Sequence, residues 1–198
     1  MSCSIRIRTI AGGVLLLISW ANADQLAFPA QRSQPPVNQD ARSLADFKAR
    51  VDAYAALHQK VEKALPQLSK EATPQEIDRY QRSLLAGIAA ARAGAKPGDL
   101  FTPPIQRTIK TLIARAFAAG NSKTLRESIQ DENPGPVKLT INGAYPEAVP
   151  LANMPAELLK NLPPLPEIVE YRFVGESLIL LDSWAHLIVD IIPGAMPK

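Results

Sequence analysis

The sequence predicts an α+β fold, with three or four helices packed on one another followed by a small antiparallel sheet of three or four strands. Three observations predict it. Apolar residues recur at three-four spacing through residues 43–132. The pattern changes at Asn133-Pro134-Gly135-Pro136 to short segments rich in proline and β-branched residues. The final third then holds Ile168–Val174, Leu178–Leu181 and Leu187–Ile192, separated by turn residues.

In the helical part, Ser43 with Asp46 three residues on reads as a capping pair that opens the first helix. Its stripe is Leu44, Phe47, Val51, Tyr54, Val61, Leu65 and Leu68, and Pro66 ends or kinks it. The second helix has Thr73 as cap, Pro74 at the first helical position and Glu76 completing the box. Ile77, Leu84, Ile88 and Ala91 form its stripe, its alanine-rich end suits close helix approach, and the glycines and Pro97 of 93–98 stop it. After Thr102 a third helix buries Ile105, Ile109, Leu112, Ile113 and Phe117, and a short fourth spans 122–130.

In the sheet part, Val137 to Ile141 running into Asn142-Gly143 reads as a strand entering a tight turn, and 154–162 as a short helix stopped by Pro163-Pro164. Along 168–174, Val169, Tyr171 and Phe173 alternate with Glu170 and Arg172, which puts the two sets on opposite faces. Gly175 marks the first hairpin turn and 182–186 the second.

The amino terminus has the three parts of a secretory signal: Arg6 and Arg8, an apolar run from Ile10 to Ile18, and Ala21-Asn22-Ala23. The run is about half the roughly 20 residues that span a bilayer, so cleavage after about Ala23 is expected, with no transmembrane anchor after processing. This divides the chain into a signal peptide at 1–23, a proline-rich flexible leader at 24–42, a helical region at 43–132 and a small antiparallel β region at 133–198. A periplasmic or secreted location follows. The only cysteine, Cys3, leaves with the signal, so the product relies on packing rather than disulfides.

Processing also changes the charge. The 22 basic side chains lose Arg6 and Arg8 while all 19 acids stay, which leaves 20 against 19 and a net charge of +1. A near-neutral chain without a basic run does not neutralise a row of phosphates, so nucleic acid is excluded as a partner. Glycines are scattered or sit in turns, and no phosphate-binding loop occurs. Arg107, Lys110 and Arg115 share one arc of the third helix and read as a solvated face.

The motifs Asp131 to Pro136, Tyr145-Pro146-Glu147, Leu162 to Pro166, Tyr171 to Gly175, Leu178 to Asp182 and Ile188-Val189-Asp190 resemble the C-terminal block (131–197) of a family of secreted bacterial proteins of uncharacterised function. Residues 162–192 are also similar to the closing hairpin of small periplasmic proteins of nickel and cobalt homeostasis. That resemblance implies a hairpin and, as one alternative, a weakly metal-responsive protein.

The candidate chemistry is sparse. His58 lies in the first helix's apolar stripe, seven residues from both Val51 and Leu65, and reads as a hydrogen-bonded core histidine. His186 is flanked at four residues by Asp182 and Asp190, with Ser183 and Trp184 in the same turn. Asp182, Ser183 and His186 name the parts of a triad, but five residues of one turn do not align nucleophile, base and acid. The reading is therefore structural, with Asp182 initiating the turn and Trp184 covering the sheet. Asp182 and His186 remain the weak metal candidates, since two ligands from one turn hold a divalent ion loosely.

The expected function is an exported, non-catalytic binding or scaffolding protein without a cofactor, acting on a protein or small-molecule partner in the periplasm. The alternatives are an enzyme whose cleft lies between the halves and brings His58 to His186 and its acids, or a weak metal-responsive protein.

Overall fold

A computed structural model describes residues 38–119, 122–130, 137–146, 149–150 and 154–197 of the 198-residue chain. The signal segment, most of the leader and the boundary at 133–136 lie outside the described residues.

The first helix, α1 (Gln39–Ala64), starts four residues before Ser43, because Asn38 supplies the cap. Its side-chain oxygen accepts from the amides of Asp40 at 3.0 Å and Ala41 at 3.4 Å. Residues 39–42, expected in the leader, are thus the first helical turn. Ser43 is instead a buried helical residue whose hydroxyl donates to the carbonyls of Gln39 and Asp40. The buried stripe is Ser43, Phe47, Val51, Tyr54 and His58. Leu65 and Leu68 fall beyond the helix, and Leu68 is 40% exposed.

Helix α2 (Pro74–Ala91) begins as its sequence predicts. The Thr73 hydroxyl accepts from the Glu76 amide at 3.3 Å, while the Glu76 carboxylate accepts from the Thr73 amide at 2.7 Å. Leu84 and Ile88 are fully buried, but Ile77 is 39% exposed and Ala91 is also exposed. Gly87 lets α1 and α2 approach closely, since a Cβ there would lie 2.6 Å from Val61 Cγ1. Helix α3 (Pro103–Ala119) buries Ile105, Ile109, Ile113, Ala116 and Phe117, and α4 (Ser122–Gln130) follows. The expected helix at 154–162 is a single turn, α5 (Ala156–Leu159).

Strands β1 (Val169–Val174), β2 (Ser177–Asp182) and β3 (Leu187–Ile192) form an antiparallel sheet in that order. The α+β architecture is as expected. Gly175, with φ of 60°, makes the first of two loop residues between Val174 and its partner Ser177. Between β2 and β3 the register slips after Leu180, so Val189 is an extra residue in β3.

One sheet face joins the helices in a common core. Phe47 stacks on Phe101 with centroids 5.5 Å apart, and Phe101 on Tyr171 at 6.5 Å, linking α1, the turn before α3 and β1. The other face buries Val174, Ile179, Leu181 and Ile188 under Tyr145 and Val149. Coverage on both sides explains why β2 and β3 read as continuous apolar runs rather than alternating ones. The expected strand at 137–141 is absent. Val137 and Leu139 pack against the cluster on this second face, and only Ala144 makes a bridge, to Leu187. Asn142, with φ of 59°, still provides the turn.

Truncating Leu84 or Ile109 to alanine should lower the unfolding free energy by about 2–5 kcal/mol, measured in urea, because each is fully buried. Glu76 tests the cap by pH. The amide and then the hydroxyl of Thr73 hold its carboxyl below the ordinary value. A depressed pKa stabilises above the unfolded value, and that stability is lost as pH falls through the folded one. Glu76→Ala should therefore lower Tm at neutral pH, with the difference shrinking in acid.

Candidate functional site

The second half of α1 carries Tyr54, His58 and Glu62 on one side, each four residues from the next. Two of these have polar tips inside an apolar stripe, and their partner comes from the far end of the chain. Asp182, the last residue of β2, is fully buried. Its Oδ2 accepts from the Tyr54 hydroxyl at 2.6 Å and lies 2.6 Å from His58 Nδ1. Its Oδ1 accepts from the amides of Ala185 at 2.8 Å and Trp184 at 3.1 Å, which turns the chain toward β3.

A carboxylate surrounded by three other donors accepts, so the imidazole donates from Nδ1, and a neutral ring in that tautomer keeps its lone pair on Nε2. The Tyr54 hydroxyl stays protonated, because burial first and the Asp182 charge second push its pKa well above the ordinary tyrosine value.

Beside this pair, Arg92 lies 5.1 Å over the Tyr54 ring and donates to Asn142 at 2.8 Å and to the Val189 carbonyl at 3.1 Å. Burial pulls its pKa down, and the carboxylates of Asp190 and Asp99 oppose that. Asp190 is a separate buried anchor. It accepts from the amides of Gly98, Leu100, Phe101 and Ile191 at 2.8–2.9 Å, which fastens the turn before α3 to β3.

Above His58 the surface opens into a groove of about 620 Å³ between the end of α1, the start of α2 and the β2–β3 turn. Glu62, Leu65, Leu68, Ile77, Tyr80 and Trp184 line it. Burial first, then the Glu62 charge and a hydrogen bond to it, raise the pKa of Tyr80. Of the four large exposed apolar residues among those described, Leu68, Ile77 and Trp184 border this groove. Trp184, expected to cover the sheet, is instead 57% exposed at its edge.

The candidates thus separate. His58 and Asp182 come together; His186 does not join them. His186 stands exposed in the turn with φ of 48°, and its carbonyl accepts from the Tyr145 amide at 2.7 Å. The metal pairing of His186 with Asp182 therefore fails on geometry: the carboxylate is fully buried and committed to Tyr54, His58 and two amides. Among the described residues no three His, Cys, Asp or Glu side chains gather to hold a metal, and no helix is long and apolar enough to cross a membrane. On α3, Lys110 donates to the Pro193 carbonyl at 2.8 Å, while Arg107 and Arg115 are exposed.

Sequence reasoning missed the groove and the Asp182 pairing. A signal existed, since Tyr54 and His58 one turn apart in a core stripe need an acceptor from elsewhere. No known protein family, curated protein or solved structure matches the chain.

Asp182→Ala should cost about 3–5 kcal/mol, because it strands Tyr54 and His58 in the core. His186→Ala should stay within about 0.5 kcal/mol, as an exposed turn position does. Parallel urea titrations measure both.

Proposed function

We propose that the processed chain is an exported, non-catalytic binding protein, periplasmic or secreted, whose partner is a small molecule with an apolar body seated in the groove beside His58. One observation carries this reading. Soluble proteins seldom gather exposed apolar side chains in one place without a use for them, and Leu68, Ile77 and Trp184 border a single concavity. Its volume falls within the range of small-ligand sites. The signal-like amino terminus supports export.

The enzyme alternative draws on a different observation. A carboxylate-oriented imidazole with a free Nε2 is the base half of a hydrolytic site. Its signature is ester hydrolysis abolished by His58→Gln, with folding verified by circular dichroism.

Trp184 is the one tryptophan after position 23, so its emission reports on the groove. Decanol titrated into the tag-free chain beginning at Asp24 should shift that emission, and the Leu68→Ser, Ile77→Ser double variant should bind at least tenfold more weakly. Both positions are partly exposed, so the fold should survive. No shift at any soluble decanol concentration would refute the groove.

A further inference from the structure

An unpartnered ring nitrogen lies behind the Glu62 wall of the groove. His58 Nε2 is buried and has no hydrogen-bond partner, and 3.8 Å away lies Oε2 of Glu62, a residue of the groove wall. With Nδ1 donating to Asp182, a neutral ring offers a lone pair at Nε2, and the Glu62 carboxylate offers acceptor oxygens. A group that bonds both donates at least two hydrogens, and a positive charge on it complements the Glu62 carboxylate. A nitrogen about 2.8 Å from each acceptor, the usual length of a charge-assisted bond, is compatible with their separation.

The surroundings favour the same sign. Glu62 lies in the last turn of α1, which ends at Ala64, where the unpaired carbonyls give the helix terminus a partial negative charge. The positive start of α2 is met by Glu76, whose carboxylate already accepts from the Thr73 amide. Trp184 presents an aromatic ring, which also attracts cations. The one cation of the lining, Lys63, is exposed to solvent. Tyr80 lines the same wall as Glu62.

Resting on the reading of the groove as a small-molecule site, we propose that its ligand is an amphiphilic amine. The primary ammonium donates to His58 Nε2 and the Glu62 carboxylate, and the apolar body lies along Leu65, Leu68, Ile77 and Trp184. Glu62, with a side chain 37% exposed, is the part of the wall that turns aside to admit the head.

The test compares ligands with the same ten-carbon body. Decylammonium, decanol and decanoate are titrated at neutral pH, below micelle formation, into the tag-free chain beginning at Asp24, with Trp184 emission as readout. Decylammonium should bind at least tenfold more tightly than decanol, decanoate should bind more weakly than either, and in Glu62→Gln the preference for ammonium should fall to near unity. Equal affinity for decanol and decylammonium would overturn the cation assignment while leaving the groove intact. Failure of all three to bind would remove the groove itself. Tighter binding of decanoate, or of an acetylated Leu-Lys-Leu peptide, would overturn the proposal in favour of an anion or a protein segment.

Discussion

A carboxylate with no exposed surface has to be fully compensated, and at Asp182 the compensation joins parts of the chain far apart in sequence. Its two oxygens take donors from the middle of α1 and from the turn that launches β3. In a low-dielectric interior such bonds are strong when complete and costly when one partner is removed. The sheet is therefore held at one rotation against α1, which apolar contacts alone would not specify. Asp190 fastens the other end of the hairpin to the turn before α3. The two buried acids act as pins between otherwise greasy layers.

The groove depends on that registration. Trp184 follows Asp182 by two residues, and its amide is one of the carboxylate's donors, so the position of its backbone is set by the anchor. Glu62 follows His58 by one helical turn. The same pairing that aligns sheet and helix thus brings Trp184 over the end of α1. Leu68 and Ile77 complete the border because the chain leaves α1 after Ala64 and enters α2 at Pro74, capped by Thr73.

What was legible in the sequence was local. The Thr73-Pro74-Glu76 start could be read because a cap is decided within four residues. The three strands could be read because hairpins pair neighbours through glycine or aspartate turns. The start of α1 was misplaced because Asn38 and Ser43 are both good caps, and which one wins depends on the burial of Ser43. The segment 137–141 has strand-forming residues, yet it covers a sheet face instead of extending an edge. Strand propensity does not distinguish those two outcomes. The link from His58 to Asp182 crosses 124 residues. Local pattern therefore drew Asp182 toward its sequence neighbour His186, and only the seam position of His58 hinted otherwise.

The length of that link bears on how the chain assembles. Tyr54 and His58 are made early, whereas their acceptor comes 128 and 124 residues later. Asp190 closes loops of about 90 residues in the same way. Such non-local closures carry their entropic cost before their contacts are gained, which makes folding slow. The helices consequently emerge with two polar groups unmatched in their apolar seam, and they cannot settle until the last hairpin is available. Commitment to the native state therefore waits until the hairpin that carries Asp182 and Asp190 has been made.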